Sequence, residues 1–136
     1  YEDMGGYWQV YITKTQDSIA IETHEALVVL ITGQGIGKED TEQSRQLMQE
    51  YLEALAMPEN RPDALIFMNA GIFWNVEESP AEDVLYQLEA DGVDILTCGT
   101  CLDFYGQKER VLTGRIGNMY TITEKMSKAE KVSHLQ

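Results

Sequence analysis

Two cysteines, three prolines and two histidines are all that this chain of 136 residues has of the residue types that most often staple, interrupt or metallate a fold. With only two thiols, three positions apart, the sequence lacks the disulfide framework of a small secreted protein, which spreads several cysteines along the chain. A close pair of this kind reads instead as redox, sulfur-transfer or metal chemistry in a reducing compartment, and the expected location is cytoplasmic. Basic residues are scarce too: 10 Lys and Arg against 23 Asp and Glu leave a formal net charge of −13. Nucleic acid and anionic membrane surfaces both require clustered cations, so neither is an expected partner. Long apolar runs are also missing. The longest, Ala26 to Ile31, falls far short of the roughly 20 residues that span a bilayer, no signal-like segment opens the chain, and no membrane association is expected.

The remaining composition suits one domain: 43% apolar side chains over 136 residues are enough for a single core and too few residues for two ordinary ones. The chain begins with Tyr1 rather than Met and is expected to continue an upstream sequence. Tyr1 to Glu25 is polar and irregular around one alternating stretch, Tyr7 to Thr13, which would set Trp8, Val10 and Ile12 on one face of a strand. Residues 1–25 therefore read as a linker with a short strand, and residues 26–136 as the folded domain.

From Ala26 the pattern is regular. Leu27-Val28-Val29-Leu30-Ile31 has the unbroken β-branched and leucine character of a strand covered on both faces. A glycine-rich turn follows, and Asp40 or Thr41 is placed to cap a helix with apolar positions Leu47, Met48, Tyr51, Leu52 and Leu55, ended by Pro58 and Pro62. The cycle repeats with a strand over Ala64 to Met68, a loop from Asn69 to Ser79, and a helix from Ser79-Pro80 that buries Val84, Leu85 and Leu88. A third strand, Val93 to Thr97, runs into Cys98. A helix over Thr100 to Tyr105, a Val111-Leu112 segment, a short helix after Asn118 and a last strand over Lys131 to Leu135 complete the chain. Strands alternating with helices at this spacing imply an α/β fold, a three-layer domain with a mainly parallel sheet.

In such a sheet, ligands bind outside the carboxyl ends of the strands. Three loops are expected there: Gly33 to Lys38, Asn69 to Asn75, and Cys98-Gly99-Thr100-Cys101. The last contains the chain's most reactive side chains. Cys98 would end a buried strand, Gly99 would allow a sharp turn, and Cys101 would fall in a first helical turn whose N–H groups favour a thiolate. Lys108, Arg110 and Arg115 follow closely and would add to that effect, with Asp103 opposing it. Two ordinary buried cysteines, a zinc site and a thioredoxin-type disulfide exchanger are the alternatives. Zinc is weakened because His24 and His134 show no ligand spacing; no metal and no cofactor are expected. Disulfide exchange is weakened because the motif follows two βα units and no proline comes after it.

The loop Gly33-Gln34-Gly35-Ile36-Gly37-Lys38 sits where a phosphate cradle would, but Lys38 stands where a dinucleotide fingerprint needs glycine, and Glu39 where a P-loop needs Ser or Thr. A tight βα turn bordering the pocket is the better reading. Ile72, Phe73 and Trp74 are unusually apolar for a loop; they line a pocket or subunit interface, or they fold back onto the core.

Four stretches, Leu27 to Thr32, Ile66-Phe67-Met68-Asn69-Ala70-Gly71, Cys98-Gly99-Thr100-Cys101-Leu102-Asp103-Phe104-Tyr105-Gly106 and Asn118-Met119-Tyr120, together resemble the DsrE-like domain of the selenium-metabolism proteins called YedF. The resemblance runs from about Ala26 to the end. It implies a DsrE/F-like, flavodoxin-related fold, a preceding TusA-like domain, oligomerisation, and a place in a sulfur relay with donor and acceptor proteins for sulfur or selenium. In the wider DsrE/TusD group a persulfide-carrying cysteine is followed eight positions later by glycine. Cys98 and Gly106 match, so the resemblance implies Cys98 as carrier and leaves Cys101 as resolving partner, although the helix-terminus argument makes Cys101 the more acidic thiol. The group often has arginine where this chain has Tyr105. The candidate site is thus Cys98 and Cys101, with Gly33, Gly35, Asn69, Gly71, Gly99, Thr100 and Tyr105 around them. The competing reading is a non-catalytic oligomeric binding module with a structural CxxC, or a thiol-disulfide oxidoreductase.

Overall fold

Among the described residues, five strands form one sheet in the order β4-β3-β2-β1-β5, and every pairing in it is parallel. The computed structural model describes residues 25–136; the strand expected over Tyr7 to Thr13 lies outside them. The strands are β1 (Glu25–Ile31), β2 (Ala64–Phe67), β3 (Asp94–Cys98), β4 (Arg115–Gly117) and β5 (Ala129–Leu135), and the helices are α1 (Glu42–Leu55), α2 (Glu82–Ala90), α3 (Gly99–Tyr105) and α4 (Met119–Ser127). Successive side chains of a strand point to opposite faces, and the buried residues separate accordingly. Val29, Ile31, Leu65, Phe67 and Ile95 pack against α1, α2 and Leu102 of α3. Val28, Leu30, Ala64, Ile66, Leu96 and Cys98 form the opposite layer with Ile122 of α4. The architecture is the three-layer α/β sandwich expected from the sequence.

The strand order decides where these faces change. From β1 to β4 the chain advances in one direction, and right-handed crossovers keep α1, α2 and α3 on one face. It must then return across the whole sheet to place β5 beyond β1, and the same handedness puts α4 on the other face, where it touches β1, β3, β4 and β5. Neighbouring strands β3 and β4 therefore send their connections to opposite faces. Such a switch leaves a crevice at the carboxyl edge, and the CGTC motif lies on its β3 side.

Local signals explain most boundaries. Thr41 caps α1 in a reciprocal box with Ser44, each side chain accepting the other's backbone N–H at 3.1 and 2.9 Å. Ser44 itself is buried, whereas Leu47, expected inside, is 44% exposed: the helix turns its Ser44-Met48-Leu52-Leu55 face to the sheet and leaves Leu47 beside it. Asn118 caps α4 by accepting the Thr121 N–H at 3.0 Å. The loop expected over Asn69 to Ser79 is instead a 3-10 helix over Asn69–Asn75 followed by a short connection to α2. Strand β4 carries no sequence signal. Its three residues have no apolar run, and Arg115 reaches across to Asp94 on β3 at 2.9 Å, where Lys125 of α4 also lands at 2.8 Å.

A fully buried amide ties the 3-10 helix to the sheet. Asn75 donates to Thr97 Oγ1 (2.9 Å) and to the Thr113 carbonyl (3.0 Å) and accepts from the Thr113 hydroxyl (2.6 Å) and N–H (3.2 Å). No sequence feature marks Asn75, because all of these partners are distant in the chain.

Candidate functional site: a thiol pair at the carboxyl edge

The two thiols sit on either side of a strand-to-helix junction and are not joined as a disulfide. Cys98 ends β3 and is only 2% exposed, packed in the α4 layer. Cys101, one helical turn later, is half-buried and packs against both apolar layers, so it closes the end of the sheet between them. Its sulfur opens into a cavity of about 290 Å³ lined by Asn69, Thr100, Cys101, Phe104 and Tyr105. Four of the sequence-selected residues, Asn69, Thr100, Cys101 and Tyr105, thus meet in one place. Gly99 turns the chain between the thiols, where a Cβ would press on Ile116 at 3.1 Å.

Asn69 holds the sulfur from the other side. It adopts a left-handed backbone, φ 49°, which Asn tolerates better than most residues. In that conformation its N–H donates to Cys101 Sγ at 3.1 Å and its side-chain oxygen lies 4.0 Å from the same sulfur. A backbone N–H is a fixed donor, so this contact supports a thiolate at Sγ without drawing on a mobile side chain.

The remaining sequence-selected glycines lie elsewhere. Gly71 faces the Ile31 carbonyl so closely that a Cβ could not be accommodated, and Gly35 is pressed in the same way onto Ser44 of α1. Gly33 lies beside Gln136. None of the three lines the thiol cavity. The glycine loop borders other depressions. Gln34 helps line a cavity of about 260 Å³ with Glu42, Gln46, Phe73 and Trp74. Trp74 folds back onto the core at 5% exposure, its indole N–H donating to the Gln34 carbonyl at 2.9 Å. Phe73 lines this cavity and meets Tyr105, which lines the thiol cavity, edge-on with ring centroids 5.0 Å apart.

Electrostatics depart from the sequence expectation. The Cys101 thiol is pushed above its ordinary value, first by burial and then by its hydrogen bond with Cys98, while the Asn69 N–H pulls it down. The cations expected to lower it are engaged with carboxylates: Lys108 with Asp103 at 3.2 Å, Arg110 with Glu77 at 3.3 Å and Arg115 with Asp94 at 2.9 Å. A seven-residue helix does not outweigh the desolvation. Because the charged form of a thiol is the deprotonated one, a raised value leaves less thiolate at neutral pH and moves reactivity to higher pH. Iodoacetamide alkylation of the Cys101 peptide, followed by mass spectrometry, is expected to show a midpoint above the roughly 8.5 of a free thiol. A midpoint below that value contradicts the desolvated setting.

Among the described residues no three His, Cys, Asp or Glu side chains gather as a metal site, and no helix is long and apolar enough to cross a membrane. Large apolar side chains are exposed on the elements around β4: Phe104 of α3 is 81% exposed and Tyr120 of α4 76%, and Ile116 of β4 and Met119 of α4 are also open.

Comparison with known proteins places the architecture. No family model matches the chain, and no curated protein does. Among solved structures, the ychN protein from E. coli superposes with a TM-score of 0.63 at 20% identity, over 81% of this chain and 99% of that one. The fold is DsrE-like. MTH1491 from Methanobacterium thermoautotrophicum, a protein of unknown function, gives a TM-score of 0.54 at 16% identity, over 78% of this chain and 98% of that one. At these identities the likeness concerns the fold alone.

Proposed function

We propose that the chain is a sulfur- or selenium-transfer protein of the YedF kind, acting in a cytoplasmic relay, in which the Cys98–Cys101 pair carries the chalcogen. The single observation that carries this reading is the setting of Cys101: a thiol at the topological switch of a parallel sheet, opening into a cavity and fixed by the Asn69 N–H at 3.1 Å. Accessibility favours Cys101, rather than the Cys98 of the family pattern, as the receiving thiol, because Cys98 is closed off at 2% exposure.

In the first step the Cys101 thiolate attacks the outer sulfur of a donor persulfide. A new S–S bond forms, the donor's S–S bond breaks, and the donor leaves as a thiolate that takes up a proton. Delivery follows by one of two routes. An acceptor thiolate attacks the outer sulfur and regenerates Cys101; otherwise Cys98 attacks Cys101 Sγ, expels hydrosulfide, and leaves a Cys98–Cys101 disulfide for an external dithiol to reduce. Donor and acceptor proteins, a TusA-like domain among them, and self-association are part of this proposal. Exposed Phe104, Met119 and Tyr120 support such contacts, since covering large apolar side chains that are open to water is favourable.

Incubation of the reduced protein with a persulfide donor, followed by peptide mass spectrometry, is expected to add about 32 Da to the Cys101 peptide. Gain on Cys98 alone reverses the assignment, and gain on neither removes the transfer reading. The burial of Cys98 beside Ile122 favours a second role for that residue, as part of the α4 packing layer.

A further inference from the structure

We infer that the Cys101 site accepts sulfur from a persulfide borne on an apolar carbon group and discriminates against oxyanion donors such as thiosulfate; this rests on the transfer reading above. The observation is the chemistry of the cavity wall. Besides Cys101 itself, its lining is two aromatic rings, Phe104 and Tyr105, one hydroxyl, Thr100, and one amide residue, Asn69. The rings meet edge to face, centroids 5.0 Å apart at 86°, and Tyr105 is braced from behind by Phe73 at 5.0 Å and 69°. This is a shaped apolar wall. Its volume, about 290 Å³, holds a group the size of a benzyl or a branched alkyl.

Among the described residues no Lys or Arg lines this cavity. The three that follow the motif are spent on Asp103, Glu77 and Asp94. The polar complement to an incoming anion is therefore uncharged: the Asn69 N–H, already directed at the sulfur, with the Asn69 side-chain amide and the Thr100 and Tyr105 hydroxyls.

The two donor classes differ in the charge they bring. With a persulfide the overall change is Cys101 thiol plus R–S–SH giving Cys101 persulfide plus R–SH. The nucleophile's proton is released, the leaving thiolate regains one, and the wall meets at most the single charge of the persulfide's outer sulfur, which stays on the sulfur that is transferred. With thiosulfate the same S–S exchange brings in a dianion and expels sulfite, itself an anion. Moving that charge from water to an aromatic surface without a counter-cation is strongly unfavourable. An apolar R group, in contrast, covers the exposed Phe104 ring and gains from removing it from water.

The test compares two probes on the reduced, full chain: benzyl persulfide and inorganic thiosulfate, each at the same concentration. The rate of mass gain on the Cys101 peptide is divided by the rate at which the same donor loads a free thiol, N-acetylcysteine, so that intrinsic donor reactivity cancels. The normalised preference for benzyl persulfide is expected to be at least about tenfold, which is one factor of ten in the rate constant. Phe104→Ser, at a position that is 81% exposed and so remote from the core, should reduce that preference toward unity. A normalised preference near one in the natural chain, or an unchanged preference in Phe104→Ser, overturns the inference. Loading by neither probe instead removes the transfer reading on which it rests.

Discussion

Cys101→Ser is expected to lose chalcogen loading by at least about two orders of magnitude, because a serine hydroxyl is not ionised near neutral pH and cannot form the S–S bond that carries the cargo. Its fold should survive, since Cys101 is only half-buried and the substitution exchanges one small side chain for another. Peptide mass spectrometry after incubation with a persulfide donor gives the first quantity, and thermal unfolding gives the second. Cys98→Ser should behave differently. Loading at Cys101 persists, but release as hydrosulfide through an intramolecular disulfide stops, so the persulfide accumulates. Stability falls by about 1–3 kcal/mol because a hydroxyl replaces a thiol in the apolar layer formed with Leu96 and Ile122. Loss of loading in Cys98→Ser with retention in Cys101→Ser would assign the carrier to Cys98, as the family pattern implies.

The second large effect concerns the frame that holds the site. Asn75→Ala is expected to destabilise the domain by about 3–5 kcal/mol, read as the shift in urea unfolding at constant slope. The side chain is fully buried, with hydrogen bonds to Thr97 and Thr113 that satisfy its amide nitrogen and oxygen. Removing it leaves the Thr113 N–H and carbonyl and the Thr97 hydroxyl of β3 without those partners in a dry interior, and each orphaned group costs more than an average hydrogen bond gains. Thr97 immediately precedes Cys98, and Asn75 ends the 3-10 helix that Asn69 begins. Loosening this tie therefore reaches both sides of the thiol cavity. A loss below about 1 kcal/mol would mean that water replaces the amide and that the tie is not structural.

Much of this arrangement is legible without coordinates. Strands covered on both faces announce themselves as unbroken apolar runs, as at Leu27 to Ile31 and Ala64 to Phe67, and the α1 cap at Thr41 is a local pattern three residues long. The last strand expected over Lys131 to Leu135 is the larger part of β5, Ala129–Leu135. Strand β4 was not legible, because Arg115-Ile116-Gly117 is a sheet edge held by its pairing with β3 and by the Asp94 ion pair rather than by its own hydrophobicity. Trp74 illustrates the same limit in the other direction. Its apolar neighbourhood suggested either a pocket or a core position; it packs on the core and also borders a cavity, with its indole N–H donating to the carbonyl of Gln34, 40 positions away.

The thiol pair shows where local and tertiary information divide. That Cys98 would end a buried strand and Cys101 would begin a helix follows from the sequence alone, since both are consequences of hydrophobic patterning and spacing along a few residues. The DsrE-like topology then sets that junction at the β3/β4 switch, a result of crossover handedness acting on five strands at once. Which thiol is open, which is closed, and whether cations lower their acidity were decided only in three dimensions. Cys98 is closed by α4, which returns from the far edge of the sheet; Cys101 is fixed by Asn69, 32 residues earlier; and Lys108, Arg110 and Arg115 are drawn off by carboxylates whose positions spacing does not encode. The physical reason is that burial and charge pairing depend on long-range contacts, whereas secondary structure is written in the nearest few residues.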